Sequence, residues 1–350
     1  MIMEFNHPGG RHVLVDDINV FNSVHPNPKY KKLLSKYNFK FTESSIYNFD
    51  TPFAEDVKKL NFKNSHKAPF IWWIRFAMLN AALVYTECSY LKYPTFLNSI
   101  CLGIVYAGLG LCIGHDGSHG AVGNKYANEF CSYYMDFIGN TNYSWHSQHI
   151  TKHHPYTNEI TLDPDVTAGD PFIIYDGKEG VKSPKVAILS VIMLGPILAY
   201  DIRKLWAVNK YTLPRNVIIS LILRLYLYYK LLYHSLVYGQ IVIVVAGAIL
   251  GILFAVSHNS IHVSRNMLKC GNDWYKNQIE SSCTYGGAVS GFLTGGLNYQ
   301  IEHHVFPHMN SCYYPQLTEK MKEICKQHDV KFVHYNTYIE NFRNYLKLFL

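Results

Sequence analysis

Two histidine-rich stretches, HDGSH at 115–119 and WHSQHITKHH at 145–154, decide how this chain is read, and QIEHH at 300–304 completes them. The chain carries 18 histidines in 350 residues, many of them in or beside these stretches. On a helix, residues three or four apart share a face. That spacing predicts that His115 and His119 point at one centre, as do His149 and His153 with His154 beside them, and Gln300 with His303 and His304. A lone histidine near an apolar run is ordinarily an interfacial side chain. Three clusters at helical spacing, each flanking an apolar hairpin, point instead to metal coordination.

The ligand types narrow the metal. Seven histidines exceed what one ion takes, so the clusters predict two metals. Imidazole suits iron, zinc and copper. The eight cysteines, at 88, 101, 112, 131, 270, 283, 312 and 325, include no CxxC pair and none placed to complete a zinc tetrahedron. The zinc-protease motif HExxH is absent. Soluble carboxylate di-iron bundles need paired Glu-x-x-His motifs, found here only from Glu4 to His7. A histidine-rich pair of redox-active irons facing an apolar chamber remains, a centre able to turn dioxygen on an unactivated C–H bond.

The segments between the clusters are long and apolar. The chain is 49% hydrophobic and 16% charged, against about 25% charged in soluble domains. Residues 70–91 and 95–114 form two runs joined by Lys92, Tyr93 and Pro94. At 1.5 Å per residue each is about 30 Å long, the thickness of a hydrocarbon core. This hairpin delivers its last turn onto His115. Runs 216–233 and 236–257 make a second hairpin, whereas 186–200 is short, ends in Asp201, Arg203 and Lys204, and is expected to lie in the interface. An odd number of crossings between the second and third clusters would put a bilayer between them, so a shared metal centre requires an even number. The expected fold is an all-α integral membrane protein with four transmembrane helices in two hairpins and a cytosolic histidine-rich helical cap. Net charge is +7. The basic residues Lys58, Lys59, Lys63 and Lys67 precede the first run, as the positive-inside rule expects of a cytosolic segment. No repeated basic–aromatic platform argues for nucleic acid, and MIMEFNHPGG is too polar for a signal peptide.

Taken together, HDxxH, then QHxxxHHxYTN (Gln148 to Asn158), then QxxHH within LNYQIEHHVFP (Leu297 to Pro307) resemble the membrane fatty acid desaturases. The glutamine at the head of the last box resembles the front-end subgroup, which inserts double bonds between an existing one and the carboxyl end. The form HHPYTN followed by Asp163-Pro164-Asp165 looks more like Δ5-type than Δ6-type members. At the N-terminus, HPGG at 7–10 with Phe21-x-x-x-His25 resembles the two haem-ligand regions of cytochrome b5. Six residues before His7 and a short interval to His25 leave that pocket incomplete, so haem on this chain is not expected. The expected division is a partial b5-like segment at 1–45 and a desaturase domain at 46–350.

The resemblance implies residue roles. The iron ligands would be His115, His119, His149, His153, His154, His258, His303 and His304, with Gln300 as a weak ligand or the holder of a water. His262 is the rival to His258, while His146 and His308 lie near the site without ligating. Asp116, Asn158 and Asn259 would orient imidazoles, with Asp163 and Asp165 also available, and Trp274 and Gln278 would line an acyl tunnel. The implied substrate is an acyl-CoA or acyl-phospholipid. The implied reaction consumes O2 and two electrons from a separate cytochrome b5 and its reductase, at the cytosolic face of the endoplasmic reticulum. A Δ6, Δ4 or Δ8 desaturase, a sphingolipid desaturase, a lipid hydroxylase, or a catalytically dead lipid-binding membrane protein are the alternatives.

Overall fold

The computed structural model describes residues 18–24, 46–139, 145–166, 215–264 and 272–350, with isolated positions 185 and 188. The expectations for His7, His25 and nearly all of the 186–200 run lie outside the described residues.

Two helical hairpins carry the apolar runs. The first pairs Phe70–Lys92 with Phe96–Leu109. Pro94 prevents one continuous helix, and Thr95 caps the second by accepting from the Asn98 amide. The second pairs Arg215–His234 with Leu236–His258, whose cap is Ser235 accepting from the Tyr238 amide. The two hairpins meet closely where Gly103 faces the Leu236–His258 helix. A methyl group at Gly103 would lie 2.7 Å from Val245 Cβ and 2.9 Å from the Val242 carbonyl oxygen. Tyr90, Leu102, Tyr106, Leu231 and Val242 fill the space between the hairpins, and the Tyr90 hydroxyl donates to the Leu231 carbonyl at 2.8 Å. The second helix of each hairpin therefore runs towards the same end, and there they deliver His115 and His258.

The expectation of four spans is met in part. Among the described residues, three helices are long and apolar enough to cross a membrane: Phe96–Ser118, Val217–His234 and Leu236–His258. Phe70–Lys92 is as long, at 23 residues, but Arg75, Asn80, Glu87 and Lys92 dilute its apolar character. Its charges have partners on neighbouring helices. Arg75 is buried against Asp116, and Glu87 pairs with Lys230 and accepts from the Tyr106 hydroxyl.

The remaining helices form the cap. Pro52–Lys58, Trp274–Glu280, Gln300–Val305 and Thr318–Gln327 enclose Phe53, Trp274, Ile279, Ile301, Val305 and Met321. Burying each such side chain contributes about 1.5–3 kcal/mol. This core holds the third histidine box, whose six helical residues are all buried. A two-stranded parallel sheet, Thr284 against His334 and Tyr285 against Tyr335, fastens the C-terminal segment beneath it.

Candidate metal centre

The three boxes and the end of the second hairpin converge on two groups of imidazoles. One nitrogen from each of His115, His119, His149 and His303 lies within 4.8 Å of the others, and so does one from each of His153, His258 and His304. Every one of these side chains is buried. Neighbouring histidines are shared out between the groups: His149 and His303 belong to the first, His153 and His304 to the second. His154 stands between them, its ring 4.8 Å from that of His119 and 4.3 Å from that of His304.

The local helices differ from the regular spacing read in the sequence. His146–His153 is a π-helical turn, closed by the His154 amide donating to the His149 carbonyl at 2.9 Å. In a π turn the overlaid residues are five apart. Hence His149 and His154 face each other, Nε2 to Nε2 at 3.1 Å, while His153 turns towards the second group. Another π turn, Gly110–Gly114, precedes His115. Such turns concentrate at functional sites because they re-aim side chains within a helix.

Several imidazoles are fixed through their outer nitrogen. His153 Nδ1 donates to the Asp163 carboxylate at 2.9 Å, and Asp163 itself accepts from the amides of Asn158 and Asp165. His258 Nδ1 donates to the Ser281 carbonyl at 3.2 Å. His304 Nδ1 lies 3.0 Å from Gln278 Oε1 and 3.0 Å from Thr157 Oγ1. His303 Nδ1 donates to the Tyr314 hydroxyl at 3.0 Å, since that hydroxyl already donates to the Met309 carbonyl. With the proton held on Nδ1, each Nε2 lone pair faces inward, the tautomer that metal-ligating histidines take.

Those inward nitrogens lack ordinary partners. Both ring nitrogens of His115 and of His119, and Nε2 of His153 and of His303, are buried without a hydrogen bond. Buried polar atoms in folded proteins are satisfied almost without exception. Elsewhere two acceptors face each other, His304 Nε2 lying 3.1 Å from His258 Nε2, while the Gln300 side-chain amide nitrogen donates to that same His258 atom at 3.0 Å. Two lone pairs at that distance repel unless a cation lies between them. About 3 Å is also the separation of two neighbouring ligands on an ion with bonds of roughly 2.1 Å. Rotating the Gln300 amide would turn Oε1, which is buried without a partner, to that same point. The residues present therefore fit two metal ions.

The electrostatics favour neutral ligands. Burial, followed by the neighbouring imidazoles, holds His119, His149, His154, His303 and His304 well below the ordinary histidine range. His153 differs. Burial again opposes its charge, but Asp163 and then Asp165 outweigh burial and carry it up to about 9.

Some residues singled out in the sequence have other employment. Asp116 does not orient an imidazole: its Oδ2 accepts from Trp72 Nε1 and the Ser311 hydroxyl, both at 2.7 Å, beside the Arg75 guanidinium. Asn259 donates to the Ala255 carbonyl and so finishes the second hairpin. Asn158 adopts φ of 60°, a left-handed conformation that asparagine tolerates. From there its Nδ2 reaches the carbonyls of His258, Ser264 and Ser281, locking the second box to the fourth long helix. His262 is exposed and turned towards Tyr335. His146 is in neither group, and His308 donates to the His119 carbonyl at 2.6 Å. Trp274 stacks on Phe49 and donates to the Pro155 carbonyl, which braces the loop after the second box. Tyr314 and Thr157 gave no signal beyond Thr157's place inside HHPYTN. Gln278, expected along a tunnel, instead holds His304.

The family model for fatty acid desaturases matches residues 92–336. The chain is 26% identical to an acyl-lipid (7-3)-desaturase of Rebecca salina, over 97% of this chain and 85% of that protein. It is 26% identical to a probable Delta(5) fatty acid desaturase C of Dictyostelium discoideum, over 95% and 84%. An acyl-lipid (8-3)-desaturase of Physcomitrium patens is 27% identical, over 95% and 82%. A family match across most of the chain, centred on three boxes that fold into one buried donor set, makes this chain a member of the fatty acid desaturase family, an oxidoreductase that desaturates acyl chains.

Proposed function

We propose that the chain is a front-end, Δ5-type desaturase that introduces a cis double bond into an already unsaturated acyl chain. The observation that carries this reading is the pair of facing imidazole groups with inward, unpartnered nitrogens. The proposed ligands are His115, His119, His149, His153, His154, His258, His303 and His304, with Gln300 beside His258. Two bound irons would supply dioxygen activation and the one-electron chemistry that removes two hydrogens from adjacent carbons. Overall, –CH2–CH2– plus O2, two electrons and two protons gives –CH=CH– and two waters.

The chain's own residues supply position and exclusion. Asp163, Ser281, Gln278, Thr157 and Tyr314 hold four imidazoles in one tautomer, and burial keeps water from competing for the inward nitrogens. The electrons would come from a separate cytochrome b5 and its reductase, with a partial b5-like segment at 1–45. The substrate would be an acyl-CoA or acyl-phospholipid. Phe70–Lys92 would be the fourth span, placing the cap on the cytosolic face of the endoplasmic reticulum with the desaturase domain at 46–350. The Delta(5) and (8-3) names of relatives support the Δ5 assignment; the (7-3) names make regiochemistry the first quantity to measure. The test is to express the chain in yeast fed a panel of polyunsaturated fatty acids and to locate new double bonds by mass spectrometry. New unsaturation at Δ5 supports the reading. A hydroxylated product, or unsaturation on the methyl side of an existing double bond, overturns it.

A further inference from the structure

Residues 281–299, SSCTYGGAVSGFLTGGLNY, contain no Asp, Glu, Lys, Arg or His. They are too short and too broken by glycine to cross a bilayer, yet they expose hydrocarbon in the structure. Within them lies the helix Ala288–Thr294. Val289 and Leu293, four residues apart and therefore on one face, are 77% and 70% exposed.

The position of this helix explains the exposure. The Cys112 thiol points at the Leu293 carbonyl at 3.7 Å, and a methyl group on Gly295 would lie 2.7 Å from Cys112 Cα. Gly295 has φ of 68°, so glycine permits both the turn and the close approach. Cys112 lies inside the Phe96–Ser118 helix, one of those long and apolar enough to span. At 1.5 Å per residue it sits about 9 Å short of that helix's end. The Ala288–Thr294 helix is thus pinned alongside the cap-side end of a helix long and apolar enough to span. Its polar groups turn inward: Thr294 Oγ1 donates to the Ser290 carbonyl at 2.9 Å and Asn298 Nδ2 to the Tyr285 carbonyl at 2.7 Å. A lipid-facing element must satisfy its polar groups internally, and the large side chains that this helix exposes, Val289 and Leu293, are hydrocarbon. Phe70, Ile71, Trp73 and Ile74, at the end of the first hairpin where Trp72 reaches Asp116, are likewise exposed and apolar.

We infer that Ala288–Thr294 is a half-helix inserted into the leaflet on the side of the metal centre, and that Val289 and Leu293 contact lipid acyl chains. It enters from the cap and returns to it through Gly295 and Gly296, directly before the third histidine box. This inference rests on the membrane placement proposed above. It is tested by placing the photo-crosslinking residue benzoylphenylalanine at single positions of the full chain in native membranes containing radiolabelled phospholipid. Ile222, 60% exposed on a long apolar helix, is the positive control, and Glu319, 79% exposed in the cap, is the aqueous control. Retained desaturase activity reports folding of each variant. The expected result is lipid adduct at Val289 and Leu293 comparable with Ile222 and at least about tenfold above Glu319, since water-facing side chains lie beyond the ~30 Å hydrocarbon core. Adduct at Ile222 with none at Val289 or Leu293 in active protein overturns the half-helix alone. Loss of adduct at Ile222 as well overturns the membrane placement on which it stands.

Discussion

The two imidazole groups are built differently. In the second, His153, His258 and His304 are each held from outside, by Asp163, the Ser281 carbonyl, and Gln278 with Thr157. In the first, only His303 has such a support, the Tyr314 hydroxyl. His115 and His119 have none at either nitrogen, and His149 has none at Nδ1. The first group is oriented by backbone and packing: a π turn ahead of His115, the His308 bond to the His119 carbonyl, and Asp116 anchored to Trp72 and Ser311. Outer hydrogen bonds fix tautomer and raise ligand basicity. One site is therefore tuned by chemistry and the other by shape, which predicts a strong and a weak metal position within one centre.

The largest effect is expected where a ligand is removed outright. His303→Ala or His304→Ala should lower product by at least about 100-fold, beyond the 10–100-fold range of an outer partner, as measured by fatty acid analysis of expressing yeast. Full activity in either variant would remove that residue from the metal centre. Next comes Asp163→Asn. The amide cannot hold the His153 Nδ1 proton as a carboxylate does, so metal affinity and activity should fall about 10–100-fold, with the second position losing metal first. If the first position empties instead, the contrast between the groups is wrong.

A chelator challenge of the native chain probes the same contrast without mutation. One metal should leave at least about tenfold faster than the other, following the range for outer-shell support, and Asp163→Asn should abolish or reverse that order. Equal rates in native protein would count against unequal sites. The smallest effect is expected for Tyr314→Phe, which removes the bond to the Met309 carbonyl and, of consequence for the metal centre, the neutral hydrogen bond to His303 Nδ1, worth about 1 kcal/mol. That corresponds to a loss of roughly fivefold in activity, confined to the first position. A loss as large as that of Asp163→Asn would mean that Tyr314 does more than orient His303.

Much of this centre was legible in the sequence, for a physical reason. Metal ligation demands particular residue types at helical spacing, so His115, His119, His149, His153, His154, His303 and His304 announced themselves. The pairing of the apolar runs into two hairpins followed from requiring every cluster at one end. Less legible was anything decided by a local change of helix type. The π turn at His146–His153 sends His149 and His153 to different groups, and no pattern of apolar residues encodes that. Outer partners were also hidden, because a hydrogen bond needs only one polar atom from a distant segment. Tyr314 and Gln278 reach their histidines across gaps of 11 and 26 residues, and Asp116, despite its place between two histidines, serves a buried arginine. Nor does any pattern in the first apolar run show that its charges, Arg75 and Glu87, find partners on neighbouring helices.

Metal analysis of the purified full-length chain, by mass spectrometry of its metals alongside Mössbauer spectroscopy, tests the central claim most directly. The account predicts two irons per chain in two distinguishable environments, and loss of iron from the second environment in Asp163→Asn. A single metal per chain, or zinc in place of iron in active protein, would contradict it.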